Sequence, residues 1–337
     1  MIQEALARVV RRENLSRAEA AAVMRILMCG EAPPSVVGAF LTALAMKGES
    51  VEEITGMAEI MRELATPIPT AARPLVDTCG TGGDHAGTFN ISTTAAFVVA
   101  GAGVSVAKHG NRSASSQCGS ADVLEALGVN IDLAPDKVGA CIDTVGIGFL
   151  YARSLHTAMK HVGPIRADLK LRTVFNVLGP LTNPARADGQ VMGAYDKSLL
   201  PFLAEVLLKL GSRHVFVVAG ADGLDELTLS GPSHVAEGRE GQVLTYDVTP
   251  EGLGLASADN VHLKGGDALT NAAILRAILD GEAGPRRDIV VLNAAPALVA
   301  AGTASSLEAG IVQAQAAIDS GAALNKLEEL IRYSHDS

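Results

Sequence analysis

From Leu75 onward, apolar runs of strand length alternate with runs of helix length, and that alternation admits few folds. Leu75–Cys79, Val104–Ala107, Val129–Ile131 and Ile147–Leu150 read as short buried strands. Helical patterns at about 92–102, 120–128 and 135–145 separate them. The alternation resumes with Val191–Tyr195, a helix over about 198–210 and the strand His214–Ala219. Strands joined through helices run parallel and are covered on both faces, so the expectation is a mostly parallel central sheet flanked by helices. Residues 233–248 predict an antiparallel pair around Gly238–Gly241. From Asp267 to about Ile331 the pattern is helical, broken at Gly281, Pro285, Gly302 and Gly321.

The first 66 residues contain no strand pattern. Ile2, Ala5, Leu6, Val9 and Val10 form one helical stripe, and Val51, Ile54, Met57, Met61 and Leu64 form another. Ser16 with Glu19 and Ser50 with Glu53 are capping boxes, and Pro33-Pro34 opens a further helix. These residues predict a small all-helical N-terminal domain over 1–70, closed by Pro67, Pro69 and Pro74. The stretch 154–184, helical and then Pro-rich, is expected to return to that domain over about 160–185. The larger α/β domain then takes 72–159 and 186–337. Val36, Val37, Phe40 and Leu41 exceed what four short helices need among themselves, which predicts a twofold dimer through this face.

Composition narrows the partners. With a net charge of −10, the chain is a poor default binder of nucleic acid or an anionic membrane, so any anion must be held by a local cluster. The longest stretch without Asp, Glu, Lys or Arg, His85–Ala107, carries Asn90, Ser92, Thr93 and Thr94 and is not a membrane span. Cys29, Cys79, Cys118 and Cys141 form no C-x-x-C pair and read as reduced small hydrophobes. The charged N-terminus lacks a signal-peptide pattern, and the expected location is cytoplasmic.

Gly80-Thr81-Gly82-Gly83-Asp84 follows the strand ending at Cys79, and a helix opens near Ser92. Glycines let backbone N–H groups approach a ligand, and a helix N-terminus adds free donors, so this is a phosphate-binding arrangement. It matches neither the P-loop nor the dinucleotide fingerprint. After the next strand come Lys108-His109-Gly110-Asn111-Arg112 and then Ser113, Ser115, Ser116 and Ser120. Adjacent parallel strands would bring this cationic loop beside the glycine loop. Arg153, Lys160, Arg166, Lys170 and Arg172 have only Asp168 against them, a second local excess of positive charge. His156 and His161, five apart, do not have the spacing of a zinc pair. Asp222, Asp225 and Glu226 crowd the end of the strand His214–Ala219; such carboxylates hold Mg²⁺ when they share it with a substrate phosphate.

With GTGGD (80–84), FNIST (89–93), KHGNRSASS (108–116), GIGFLYA (146–152), FNVLGPLTNP (175–184), DGLDE (222–226) and GGDALTNA (265–272) in this order, the chain resembles the anthranilate phosphoribosyltransferases of tryptophan biosynthesis. The resemblance implies transfer of the 5-phosphoribosyl group of phosphoribosyl pyrophosphate (PRPP) to the amine of anthranilate. It also implies a fold like that of the nucleoside phosphorylases, Mg²⁺ as cofactor and a homodimer. Carried over by motif, Gly80, Gly83, Asp84, Thr88, Asn90, Ile91, Ser92, Thr93, Lys108, His109, Gly110, Asn111, Arg112, Ser113, Ala114, Ser115, Ser116 and Ser120 correspond to the PRPP site. Gly80, Asn111 and Arg166 correspond to anthranilate contacts, and Ser92, Asp225 and Glu226 to Mg²⁺ ligands. No covalent nucleophile is implied; His109 is the nearest candidate base or positioning residue. Thr78-Cys79 departs from the Ile-Val commonest before the glycine loop. Two other readings stand beside this one. A pyrimidine-nucleoside phosphorylase is opposed by the DGLDE segment and the 337-residue length, and a noncatalytic nucleic-acid-binding relative by the charge of −10 and the intact motifs.

Overall fold

In the computed structural model, which describes residues 1–84, 86–113 and 117–336, the chain opens with four helices. These are α1 (Ile2–Val10), α2 (Arg17–Cys29), α3 (Pro34–Lys47) and α4 (Val51–Leu64). Ser16 and Ser50 each accept the backbone N–H three residues on, and Glu19 and Glu53 accept the N–H of the cap residue in return, so both capping boxes form. Buried Val23, Phe40, Leu44, Ile54 and Met57 share one core with Val162, Phe175, Leu178 and Leu181 of the later stretch and with sheet residues Met192, Val215 and Val217. Arg62 fastens the join: its guanidinium donates to the Leu181 carbonyl at 2.7 Å and to the Leu210 carbonyl at 3.0 Å.

This packing corrects the basis of the dimer expectation. Val37, Phe40 and Leu41 are 3%, 0% and 0% exposed within a single chain. The sequence suggested four helices packing only among themselves, whereas α3 also packs against the later helical stretch, with Leu169 and Ile165 lying against Gly38.

Seven strands form one sheet: β1 (Leu75–Asp77), β2 (Ser105–Gly110), β3 (Ile147–Tyr151), β4 (Gly189–Gly193), β5 (His214–Gly220), β6 (Ser233–Arg239) and β7 (Gln242–Val248). Their order is β3-β2-β1-β4-β5-β6-β7; the first five are parallel and the last two antiparallel. Helix α5 (Ile91–Gly101) is buried almost throughout and packs on the sheet with the helices Pro285–Ala300 and Ala322–Asp336. Four strand expectations change by more than one residue: β1 ends at Asp77, short of Cys79, and β4 spans Gly189–Gly193 rather than Val191–Tyr195. Val129 and Ile131 are buried but belong to no strand, because the Asn130 N–H goes to the Ser334 hydroxyl at 3.0 Å instead of a ladder. β2 continues past Ala107 through Lys108, His109 and Gly110, since β3 runs alongside and pairs them with Phe149, Leu150 and Tyr151. No helix among the described residues is long and apolar enough to cross a membrane.

Candidate active site

The glycine loop, the end of β2 and the turn after β5 lie at the carboxyl ends of parallel strands, where such sheets bind ligands. β4 stands between β1 and β5, and its last residue, Gly193, lets their loops meet. The Thr81 N–H donates to the Gly193 carbonyl at 2.8 Å. On the other side, a Cβ on Gly193 would lie 1.5 Å from the Asp225 carbonyl oxygen. Nothing in the sequence around Gly193 pointed to this role; the requirement comes from the strand order alone.

The loop itself turns through positive φ at Gly82 (64°) and Gly83 (85°), a conformation that favours glycine. Arg172 holds it from outside, donating to the Gly83 carbonyl at 2.8 Å while its guanidinium lies 3.8 Å over the Tyr195 ring. The far end is pinned by the 263–271 segment. Lys264 Nζ donates to the Ala86 carbonyl at 2.7 Å, and the Phe89 N–H donates to the Leu263 carbonyl at 3.1 Å. Thr88 bridges Lys264, and Asn271 donates to the Asn90 Oδ1 at 2.9 Å. The sequence singled out GGDALTNA as a motif; the contacts show what it holds in place.

Of the cations expected here, Lys108 is buried at 4% exposure and donates to the Thr78 carbonyl at 2.8 Å. No carboxylate among the described residues forms an ion pair with it. A buried ammonium with no carboxylate in direct contact is a receptor for an anion. Arg112 is placed otherwise: it pairs with Asp122 at 3.0 Å and Glu125 at 2.7 Å and donates to the Tyr151 hydroxyl at 3.2 Å. Its charge is therefore met inside the chain. The Ser113 N–H goes to Asp122 at 3.0 Å, and Ser120 donates from its hydroxyl to the Asn111 carbonyl at 3.2 Å. A Cβ on Gly110 would lie 2.2 Å from the Ser120 hydroxyl oxygen, so those two positions need each other small. Ile91 and Thr93 face inward at 2% exposure, and Ser92, between them, is partly open. Ala114, Ser115 and Ser116 lie outside the described residues.

The acidic turn divides by hydrogen bonding. Asp222 accepts from the Thr228 and Ser230 hydroxyls at 2.7 and 2.6 Å and from the Asn260 amide at 2.6 Å, so it is a turn-builder. Asp225 and Glu226 are left facing the glycine loop. Burial first, then the Asp84 carboxylate beside it, holds the Asp225 carboxyl well above its ordinary range. Burial and Asp225 raise Glu226 in the same way, against the pull of Lys108. Asp84 Oδ2 is buried with no hydrogen-bond partner among the described residues. Crowded carboxylates with an unmet oxygen suit a divalent cation, so the residues present fit Mg²⁺.

His109 is not in a loop but inside β2, 2% exposed. Its backbone N–H donates to Asp77 at 3.1 Å, and its Nε2 lies 3.2 Å from Nε2 of His156, which the sequence had not singled out as its partner. Burial, with His156 and Lys108 close by, holds its pKa well below the ordinary value, so it is a neutral imidazole. Arg166 is half-buried, 5.1 Å over the Phe175 ring, with no carboxylate partner among the described residues. Its segment reaches the glycine loop through Arg172, six residues on.

Comparison with known proteins agrees with this geometry. Residues 72–324 match the α/β domain of a glycosyl transferase family, and residues 3–65 match its helical bundle domain. The anthranilate phosphoribosyltransferase of Symbiobacterium thermophilum is 56% identical over 330 residues, covering 98% of this chain and 97% of that one. The crystal structure of the Thermus thermophilus enzyme superposes with a TM-score of 0.93 at 47% identity, covering 98% and 99% of the two chains. The Saccharomyces cerevisiae enzyme in complex with PRPP and Mg gives a TM-score of 0.90 at 27% identity, covering 100% and 98%. At this identity over nearly its whole length, the chain belongs to the anthranilate phosphoribosyltransferase family.

Proposed function

We infer that this chain transfers the 5-phosphoribosyl group of PRPP to the amine of anthranilate, giving N-(5-phosphoribosyl)anthranilate and pyrophosphate, a step of tryptophan biosynthesis. One observation carries the reading: a buried lysine that makes no direct ion pair among the described residues, and a positive-φ glycine loop, stand beside crowded carboxylates. PRPP bears a phosphate and a pyrophosphate, so it needs anion sites and a metal together. Lys108 and the backbone N–H groups of Gly83, Ser92 and Thr93 take the anions; Asp225, Glu226 and Ser92 hold Mg²⁺. When bound, Mg²⁺ offsets charge that builds on the departing pyrophosphate.

Anthranilate brings a neutral amine, which attacks the anomeric carbon directly, so no activated Ser or Cys is required. Neutral His109 has an imidazole able to orient that amine or accept its proton. Arg166, lacking an anion of its own, meets the ortho carboxylate, with Gly80 and Asn111 on the other side of the substrate. A helical unit, residues 1–70 with 160–185, beside an α/β unit is supported by the core that the N-terminal helices share with Val162, Phe175, Leu178 and Leu181. A homodimer through the N-terminal helices has support from Met46 and Val10, 72% and 64% exposed, and sedimentation at micromolar concentration checks it.

Pyrophosphate release from PRPP, measured with each component omitted in turn, tests the assignment. Release should require Mg²⁺ and anthranilate together; rapid release without anthranilate would identify a PRPP hydrolase instead. Arg166→Ala should raise KM for anthranilate by about 10- to 100-fold, the loss of one charge-assisted contact, and leave KM for PRPP within a few-fold. Arg172→Ala removes the tether on Gly83 and should instead raise KM for PRPP by roughly tenfold. Steady-state kinetics with each substrate varied separate the two residues; equal effects on both substrates would place Arg166 in the phosphate site.

A further inference from the structure

Behind the glycine loop lies a second group of ligating side chains that the proposed reaction does not use as a metal site. β1 and β2 pair in parallel with Val76 opposite Val106, and continuing that register sets Cys79 opposite His109. Asp77 ends β1, two residues before Cys79. A carboxylate oxygen of Asp77, Cys79 Sγ and a ring nitrogen of His109 lie within 4.8 Å of one another, the only such set of three among the described residues. Asp77 is 0% and His109 2% exposed, while Cys79 is half-buried and gives the open side.

Three further features suit a cation. The Asp77 carboxylate is fixed in place, accepting from the His109 N–H at 3.1 Å and from Asn183 Nδ2 at 2.8 Å, and still has lone pairs to offer. His109 Nδ1 is buried without a hydrogen-bond partner, and so is Nδ1 of its neighbour His156. A thiolate, a carboxylate and a neutral imidazole carry a summed charge of minus two, which offsets a divalent ion, and the Lys108 ammonium stands close to all three groups. Burial pushes the Cys79 thiol up to about 12, which keeps it protonated without a metal; a coordinating ion displaces that proton to solvent. A sulfur–nitrogen–oxygen set is suited to a soft or borderline ion and poorly suited to Mg²⁺, which prefers oxygen. The four cysteines show no ligand spacing in the sequence because this set is assembled across two strands.

We propose that Asp77, Cys79 and His109 form a second cation site that takes Zn²⁺ or another thiophilic divalent ion, and that filling it inhibits the enzyme. Inhibition follows from position: Gly80 of the glycine loop is bonded to Cys79, so an ion held at Cys79 pulls on the start of that loop. Only this inhibitory consequence rests on the proposed function; binding of the ion does not.

Cd²⁺ serves as the spectroscopic probe, because its thiolate complex absorbs in the ultraviolet. In a Cys29→Ser background, which removes the exposed thiol, Cd²⁺ titration should give one thiolate band per chain. Cys79→Ala and Cys79→Val should abolish the band and still transfer phosphoribosyl groups. Removing even an outer partner weakens metal sites by about 10- to 100-fold, so losing this ligand should reduce Zn²⁺ inhibition, measured at saturating Mg²⁺, by at least about 100-fold. No band in the parent, or a band that persists in both Cys79 variants, overturns the site. A band that depends on Cys79, with Zn²⁺ sensitivity unchanged by its loss, overturns the inhibitory role.

Discussion

Asp225→Asn is expected to make the ligand-free protein more stable while nearly abolishing phosphoribosyl transfer. Asp225 sits among Asp84 and Glu226, and burial raises the cost of its charge. A carboxyl whose pKa is raised on folding favours the folded state fully below its unfolded value near 4, and that contribution is lost as pH rises through the folded value. The melting temperature of the ligand-free wild type should therefore fall between about pH 5 and pH 9 from this cluster, and the fall should be shallower in Asp225→Asn. The stability gain at pH 8 is expected to be on the order of 1 kcal/mol, since the side chain is only half-buried. Activity should drop by about 10³-fold or more, because the carboxylate that would hold the metal is gone. Calorimetry with and without Mg-PRPP checks both halves. Binding that survives in both Asp225→Asn and Glu226→Gln would remove this pair from the metal site.

Gly193→Ala should damage the site as severely without touching a charged group. The added Cβ would lie 1.5 Å from the Asp225 carbonyl oxygen and 2.6 Å from its carbonyl carbon, both backbone atoms that cannot rotate away. Either the 222–226 turn or the end of β4 must move by more than 1 Å. Because the Gly193 carbonyl also accepts the Thr81 N–H, the glycine loop moves with it. Misplacement of that size costs about 100-fold in rate, and forced overpacking costs about 1–3 kcal/mol. Gly231→Ala, where an added Cβ meets nothing within 4 Å, is the control and should be near neutral. A Gly193→Ala enzyme with normal kcat/KM would show that the two loops need not meet at β4.

The two glycines illustrate what a sequence carries locally. Gly82 and Gly83 stand in a glycine cluster after a strand and before a helix, and their turn was legible from that context. Gly193 ends an ordinary apolar run, and its importance depends on two loops over 30 residues or more than 100 residues away. The same contrast separates the acids of DGLDE. All three were legible as a cluster, but only the positions of Thr228, Ser230 and Asn260 show that Asp222 is saturated while Asp225 and Glu226 are not. Lys108 and Arg112, four residues apart, looked like two equivalent cations. The fold buries the first with no direct ion pair among the described residues and meets the second with acids of the helix Ser120–Ala126.

From local pattern, the sequence determined the order of elements apart from the strand expected at Val129–Ile131, both capping boxes, the breaks at Gly281, Pro285, Gly302 and Gly321, and the turn of the glycine loop. Those features arise from hydrogen bonds and side-chain periods within a few residues, so they are written in the segment that forms them. Tertiary structure alone decided that β4 enters between β1 and β5, that β2 extends through His109, that Val37, Phe40 and Leu41 are consumed inside one chain, and that Cys79 faces His109. Strand order and register are settled by which faces bury most completely against one another, and that competition involves residues far apart in the chain.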